Sequence, residues 1–115
     1  MESSEIQVRL EDERAAVLAS IDAISADFDA IVSSSTDANS DDEHDPEGAT
    51  VAFERAQLAS LLDDARVTLA AIETALAKLR DGHYGECERC GDAISEERLS
   101  ALPSTRVCFS CASVA

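Results

Sequence analysis

Residues 51–82, VAFERAQLASLLDDARVTLAAIETALAKLRDG, decide the fold. Val51, Leu58, Ala65, Ile72 and Leu79 recur every seven positions, and Leu62, Leu69 and Leu76 fill the interleaved row. Such a repeat lays one narrow apolar seam along an α-helix. Upstream, Asp45-Pro46-Glu47 supplies an N-cap, a proline at the first helical position and an acid in the first turn. Downstream, Lys78 and Arg80 place cations in the last turn, and Gly82 offers the left-handed backbone on which helices end. The pattern predicts a helix from about Pro46 to Arg80, on the order of 50 Å long at 1.5 Å per residue.

A second seam lies upstream. Between Glu5 and Val32, Leu10, Val17, Ile24 and Ile31 are seven apart, with Ile21 and Phe28 on the interleaved row and Arg14 interrupting it, its stem lying at the seam's edge. Ser4 followed by Gln7 reads as a capping box, and Ser33-Ser34-Ser35-Thr36 lowers helix propensity after the last periodic residue. Folding the seams antiparallel pairs Ile31 with Val51, Ile24 with Leu58, Val17 with Ala65 and Leu10 with Ile72. One register buries both, with the turn centred near Asp41. The fold class expected is therefore all-α: an antiparallel helical hairpin, a coiled coil, over residues 4–81. A homodimeric coiled coil through either helix is the competing arrangement. The hairpin already buries both seams, so a monomer is expected. Between the helices, Asp37 to Glu47 holds six acids and no Lys or Arg, which makes residues 37–47 a solvent-exposed acidic tip.

Composition narrows the function classes. The 115 residues carry 24 Asp plus Glu against nine Lys plus Arg, a formal net charge of -15, which repels phosphate backbones and argues against a direct grip on nucleic acid. One domain's length, three Phe, one Tyr and no Trp leave little room for an enclosed cavity. No nucleophile and base pair and no phosphate-binding loop is recognisable, so an enzyme is not expected. The start, MESSEIQVRLEDER, is acidic where a signal peptide is basic, and no run of 18 apolar residues occurs. The expectation is a cytoplasmic chain with no membrane contact and with reduced thiols.

Those thiols have a telling spacing. Cys87-Glu88-Arg89-Cys90 and Cys108-Phe109-Ser110-Cys111 form C-x2-C-x17-C-x2-C. Each C-x2-C turn brings two sulfurs to one side, and two such knuckles complete the tetrahedron that zinc accepts. Two disulfides or a redox pair are the alternatives, disfavoured by two matched pairs in a reducing compartment. Four thiolates leave no open position for water, so one structural Zn2+ is expected at Cys87, Cys90, Cys108 and Cys111. His83 lies four residues before Cys87 and is a further candidate ligand, set against a plain solvent-facing role at the helix end. Residues 82–115 make up the predicted finger, with Gly91 for the turn after Cys90 and Ser95 capping a short helix that Pro103 ends. Ile94, Leu99, Leu102, Val107 and Phe109 are its expected core, with Tyr84 packing there or on the helix end. Residues 81–115, the finger with the last residue before it, hold six acids against three Arg, a net of -3 and a poor match for a phosphate backbone.

The run from Ala75 to Ile94, ALAKLRDGHYGECERCGDAI, with Arg98-Leu99-Ser100-Ala101-Leu102-Pro103 and Cys108-Phe109-Ser110-Cys111 after it, resembles the DksA/TraR family. The resemblance covers residues 46–111, and the first helix adds the family's coiled-coil hairpin in outline. It implies a bacterial transcription regulator that binds RNA polymerase, inserts the hairpin through the secondary channel and brings acidic tip residues near the catalytic magnesium. Counting back from the first cysteine, the family's D-x-x-D-x-A tip motif falls on His44-Asp45-Pro46-Glu47-Gly48-Ala49. Glu47 and Ala49 keep two of its places, and Asp45 stands one residue from the third. Asp45, Glu47 and Ala49 are thus the implied polymerase-facing residues, with a solvated helix cap as the alternative for Asp45. The places where family members carry Lys, Arg and Lys toward ppGpp hold Ala71, Leu102 and Ala112, so no such ppGpp site is expected. The family's C-terminal helix is not expected either, as four residues follow Cys111. An acidic zinc-finger adaptor or stress protein that binds a different protein is the alternative function.

Overall fold

The structure is a computed structural model that describes residues 2–37 and 46–113, with the side chains of 34–37, 46 and 47 outside that description. Two long helices, α1 (Ser3–Asp37) and α2 (Pro46–Asp81), precede two short ones, α3 (Glu96–Ala101) and α4 (Phe109–Ala112). Among the described residues there is no strand, only an isolated antiparallel bridge between Glu86 and Ala93. The fold is all-α: an antiparallel helical hairpin followed by a finger. The chain divides into two compact units, residues 1–16 with 68–115, and residues 17–67.

In the first unit the start of α1 lies against the end of α2. Leu10 and Ile72, paired by the seam register, are 0% and 1% exposed, and Ile6 and Ala75 are buried with them. Arg14 leaves the seam's edge as expected, and its Nε meets Glu73 Oε1 at 3.4 Å. In the second unit every seam residue, from Val17, Ile21, Ile24, Phe28 and Ile31 to Val51, Leu58, Leu62 and Ala65, is half-buried, and no described residue is fully buried.

Both helix starts and ends follow local chemistry, with two departures from expectation. Helix α1 begins at Ser3, where the Glu5 and Ile6 N–H groups donate to the Glu2 carbonyl at 3.1 Å. Ser4 is therefore inside the first turn, and the Gln7 amide bonds Glu11 at 3.2 Å instead of closing a capping box. Helix α1 also continues through Ser33-Ser34-Ser35-Thr36 to Asp37. Each of those residues costs only tenths of a kcal/mol of propensity, and adding a turn to an existing helix needs no new nucleus. Helix α2 starts at Pro46 as the sequence predicts and stops after Asp81. There Gly82 takes φ +82°, and the His83 N–H reaches back to the Lys78 carbonyl at 2.9 Å, the bond that closes a Schellman end. The predicted cap, Asp45, lies outside the described residues.

Candidate metal centre

The finger starts directly after that helix end. Gly85, at φ +88°, lets the chain turn, and its carbonyl accepts the Ile94 N–H at 2.7 Å. The Cys87 N–H donates to the Asp92 carbonyl at 2.8 Å, so residues 85–94 form a short ribbon. At its tip the Gly91 N–H bonds the Cys87 carbonyl at 2.9 Å, and Gly91 adopts the left-handed conformation, φ +81°, that the sequence reading assigns to it. The second knuckle is the start of α4: the Ala112 N–H donates to the Cys108 carbonyl at 2.9 Å, which sets Cys108 and Cys111 one turn apart. The two knuckles are tied by the Glu88 N–H donating to the Arg106 carbonyl at 2.9 Å.

This framework brings Cys87, Cys90, Cys108 and Cys111 together, with all four Sγ atoms within 4.8 Å of one another. A zinc ion with bonds of about 2.3 Å needs sulfurs about 3.8 Å apart at the corners of its tetrahedron. Cys90 Sγ and Cys108 Sγ are 3.8 Å apart, far beyond a disulfide bond. The donor set fits one structural zinc, which when bound supplies the positive charge that lets all four sulfurs be thiolates. His83 stands outside the cluster: it is exposed, and its Nδ1 is 2.8 Å from Glu86 Oε2.

Electrostatics at the sulfurs favour a cation. The backbone N–H of Cys90 lowers the Cys87 thiol most; burial opposes it, and the N–H groups of Cys108 and Arg89 help bring it down to about 6. The Cys108 N–H lies 3.3 Å from that sulfur. Cys111 is pushed up to about 12 by sharing protons with Cys108 and then Cys87. At Cys90 the Asp92 N–H lowers the thiol, but the neighbouring Cys87 and Cys108 sulfurs and burial together raise it. Four sulfurs this close resist holding four negative charges unless a metal balances them.

A small polar frame supports the ligands. Ser95 caps α3 as predicted, accepting the Arg98 N–H at 3.2 Å. Arg98 donates from Nε to the Val107 carbonyl at 2.9 Å and from Nη2 to Thr105 Oγ1 at 3.3 Å, fixing the run into Cys108. The Tyr84 hydroxyl donates to the Pro103 carbonyl at 2.8 Å, and burial raises its pKa. Glu88 Oε1 is 2.8 Å from Lys78 Nζ and Oε2 is 3.0 Å from Arg106 Nε, and the Lys78 hydrogen bond foremost holds this carboxyl below the usual carboxylate range. Sequence reasoning missed the roles of Glu88 and Arg98, because polar contacts across a turn carry no periodic signal.

The expected finger core needs correction. Ile94 is buried, and Leu99 and Val107 are half-buried, but Leu102 is 51% and Phe109 71% exposed. Phe109 follows a ligand on a helix whose inward face is already taken by Cys108 and Cys111, so it points away. Leu102 sits at the end of α3, and Pro103 is the buried residue there. Of the three tip residues, Asp45 lies outside the described residues, Glu47 lies in the first turn of α2 with its side chain outside the description, and Ala49 is exposed on α2. No helix among the described residues is long and apolar enough to cross a membrane.

Comparison with known proteins gives this geometry relatives. Residues 82–115 match the family model of the prokaryotic dksA/traR C4-type zinc finger. The RNA polymerase-binding transcription factor DksA of Escherichia coli is 38% identical over 53 residues, 46% of this chain and 35% of that one. The chain spans between 31% and 42% of the length of the curated relatives it matches. A solution structure of the DnaK suppressor protein from Agrobacterium tumefaciens is similar at a TM-score of 0.63 and 30% identity, over 100% of this chain and 95% of that one. The structure of transcription factor DksA2 from Pseudomonas aeruginosa has a TM-score of 0.78 at 23% identity, over 96% of this chain and 79% of that one, a likeness of fold.

Proposed function

Because the chain belongs to the DksA/TraR family, we propose that it is a transcription regulator that binds RNA polymerase through protein contacts, without gripping DNA. The observation that carries this reading is the four-thiol cluster set directly after a long helical pair, which matches the relatives in both sequence and fold. The net charge of -15 supports contact with a protein over contact with a phosphate backbone. The role is binding, not turnover: a closed structural metal site has no open coordination position.

In this proposal the hairpin enters the secondary channel and presents Asp45 and Glu47, with Ala49 beside them, to the polymerase. The protein acts as a cytoplasmic monomer. Ala71, Leu102 and Ala112 bring no cation where a polyphosphate needs one, so ppGpp does not enhance its action.

The test is a pull-down of purified core polymerase by the zinc-loaded chain, followed by transcription in vitro. Binding is expected with zinc and lost without it; absence of binding by the zinc-loaded chain overturns the reading. Asp45→Asn with Glu47→Gln is expected to leave binding nearly intact while removing the effect on transcription. An unchanged effect moves the activity away from the tip.

A further inference from the structure

Glu88 occupies an unusual position. It lies between two of the thiols, Cys87 and Cys90, and its carboxylate is divided between cations from two other segments. Lys78 comes from the last turn of α2, and Arg106 stands two residues before Cys108. The Glu88 and Lys78 side chains are 34% and 23% exposed, so their pair is partly withdrawn from water. Lys78 is also the residue whose carbonyl accepts the His83 N–H that closes α2. One residue therefore ends the helix through its backbone and holds the metal knuckle through its ammonium.

A bound metal fixes the backbone of the first knuckle and so aims Glu88. Without it, residues 82–113 have only Cys87, Ile94 and Pro103 buried, too little apolar core to hold Glu88 in place. Lys78 then loses its partner at the point where the helix is closed. We infer that the Lys78–Glu88–Arg106 bridge is a latch that joins zinc occupancy at the four thiols and the order of the last turn of α2 into one coupled equilibrium, so that the helix end responds to the metal. Coupling of this kind is reciprocal: if zinc steadies the helix end through the latch, the latch steadies zinc by the same factor. The inference is independent of which protein the chain binds.

Reciprocity gives a test with opposite signs. Removing the Lys78 cation from the neighbourhood of a divalent ion strengthens zinc binding if simple charge repulsion is all that acts. The latch requires the reverse. In competition with a chromophoric chelator, the full chain carrying Lys78→Met is expected to bind zinc about 3- to 5-fold more weakly than the parent. Lys78→Arg, which keeps the cation, is expected to restore most of that loss. Glu88→Gln is expected to weaken zinc as well, and Lys78→Met with Glu88→Gln to be no worse than the weaker single variant. Hydrogen exchange of the zinc-loaded proteins supplies a second readout: the His83 amide is expected to exchange several-fold faster in Lys78→Met, with the amides of residues 50–60 unchanged. Zinc affinity in Lys78→Met equal to or above the parent's overturns the latch, and so does a double variant whose loss is the product of the two single losses.

Discussion

The units formed by residues 1–16 with 68–115 and by residues 17–67 are built from halves of the same two helices, yet among the described residues only the first holds buried side chains. Ile6, Leu10, Ile72, Ala75, Cys87, Ile94 and Pro103 all belong to it. The second unit has the same heptad seam, half-buried throughout, with Leu18, Phe53, Leu61 and Val67 exposed. Charge divides in the same way. Residues 17–67 carry 12 of the 24 acids and two of the nine cations, a net of -10; the other unit carries 12 acids and seven cations, a net of -5. Two helices alone present too narrow a stripe to hide a side chain from water on all sides. The buried residues lie in the unit that also holds the finger and its four thiols, and four of that unit's seven cations, Lys78, Arg89, Arg98 and Arg106, bond atoms of the finger.

The sharpest way to break this comparison is to remove the metal. Chelation in reducing buffer is expected to abolish hydrogen-exchange protection across residues 85–113, because structural zinc contributes on the order of 10 kcal/mol or more to the folding of a finger. Amides of residues 17–67 are expected to change far less. Equal loss of protection in both regions would show that they do not differ in their dependence on zinc. A metal content far below one zinc per chain before chelation would remove the site itself.

Within the helices, Ile72→Ala is expected to cost about 2–5 kcal/mol, since the side chain is fully enclosed and its deletion leaves a cavity. Leu58→Ala, at the half-buried counterpart in the other unit, is expected to cost less than half as much, because water already reaches it. Denaturant midpoints at constant slope measure both. Equal losses would mean that the seam is closed equally along both units.

Zinc affinity should also depend steeply on pH. Cys87, brought down to about 6, is largely ionised at neutral pH, whereas Cys111, raised to about 12, and Cys90, also raised, carry protons that the metal must displace. Each proton the metal displaces makes affinity fall about tenfold for each pH unit lowered between pH 8 and pH 7, so losing at least the Cys90 and Cys111 protons gives a fall of about a hundredfold or more. A chelator competition series gives the slope. A slope near zero would mean that the thiols are already ionised before zinc arrives.

How far the sequence foretold all this depends on whether a feature repeats. The seams placed Leu10 opposite Ile72, and Gly82 marked the end of α2, because periodicity and a left-handed glycine are written locally. The spacing of Cys87, Cys90, Cys108 and Cys111 foretold a four-thiol cluster for the same reason. What escaped was three-dimensional polar bookkeeping. Arg98 reaching Val107, Tyr84 reaching Pro103 and Glu88 shared by Lys78 and Arg106 join residues nine to 19 positions apart by contacts that no repeat encodes. At Leu102 and Phe109 apolar character does not mean burial: Cys108 and Cys111 take the inward face of α4 beside Phe109, and Pro103 takes the buried place after Leu102 at the end of α3.

The smallest effect expected tests the joint between helix and finger. Gly85 combines φ +88° with a position at which an added Cβ would lie 3.3 Å from Leu99 Cδ1. Gly85→Ala therefore meets two penalties, a left-handed backbone costing about 1 kcal/mol for a residue with a Cβ and a close approach that Leu99 must yield to. Gly82→Ala shares the left-handed φ, at +82°, but its added Cβ would meet open space. The difference between the two variants isolates packing from backbone. Gly85→Ala is expected to be the more destabilising by a few tenths of a kcal/mol to about 1 kcal/mol, with the excess removed when Leu99→Val shortens the neighbour. An excess that survives Leu99→Val would locate the constraint in the backbone of the ribbon, where the Gly85 carbonyl receives the Ile94 N–H, and not in the contact with α3.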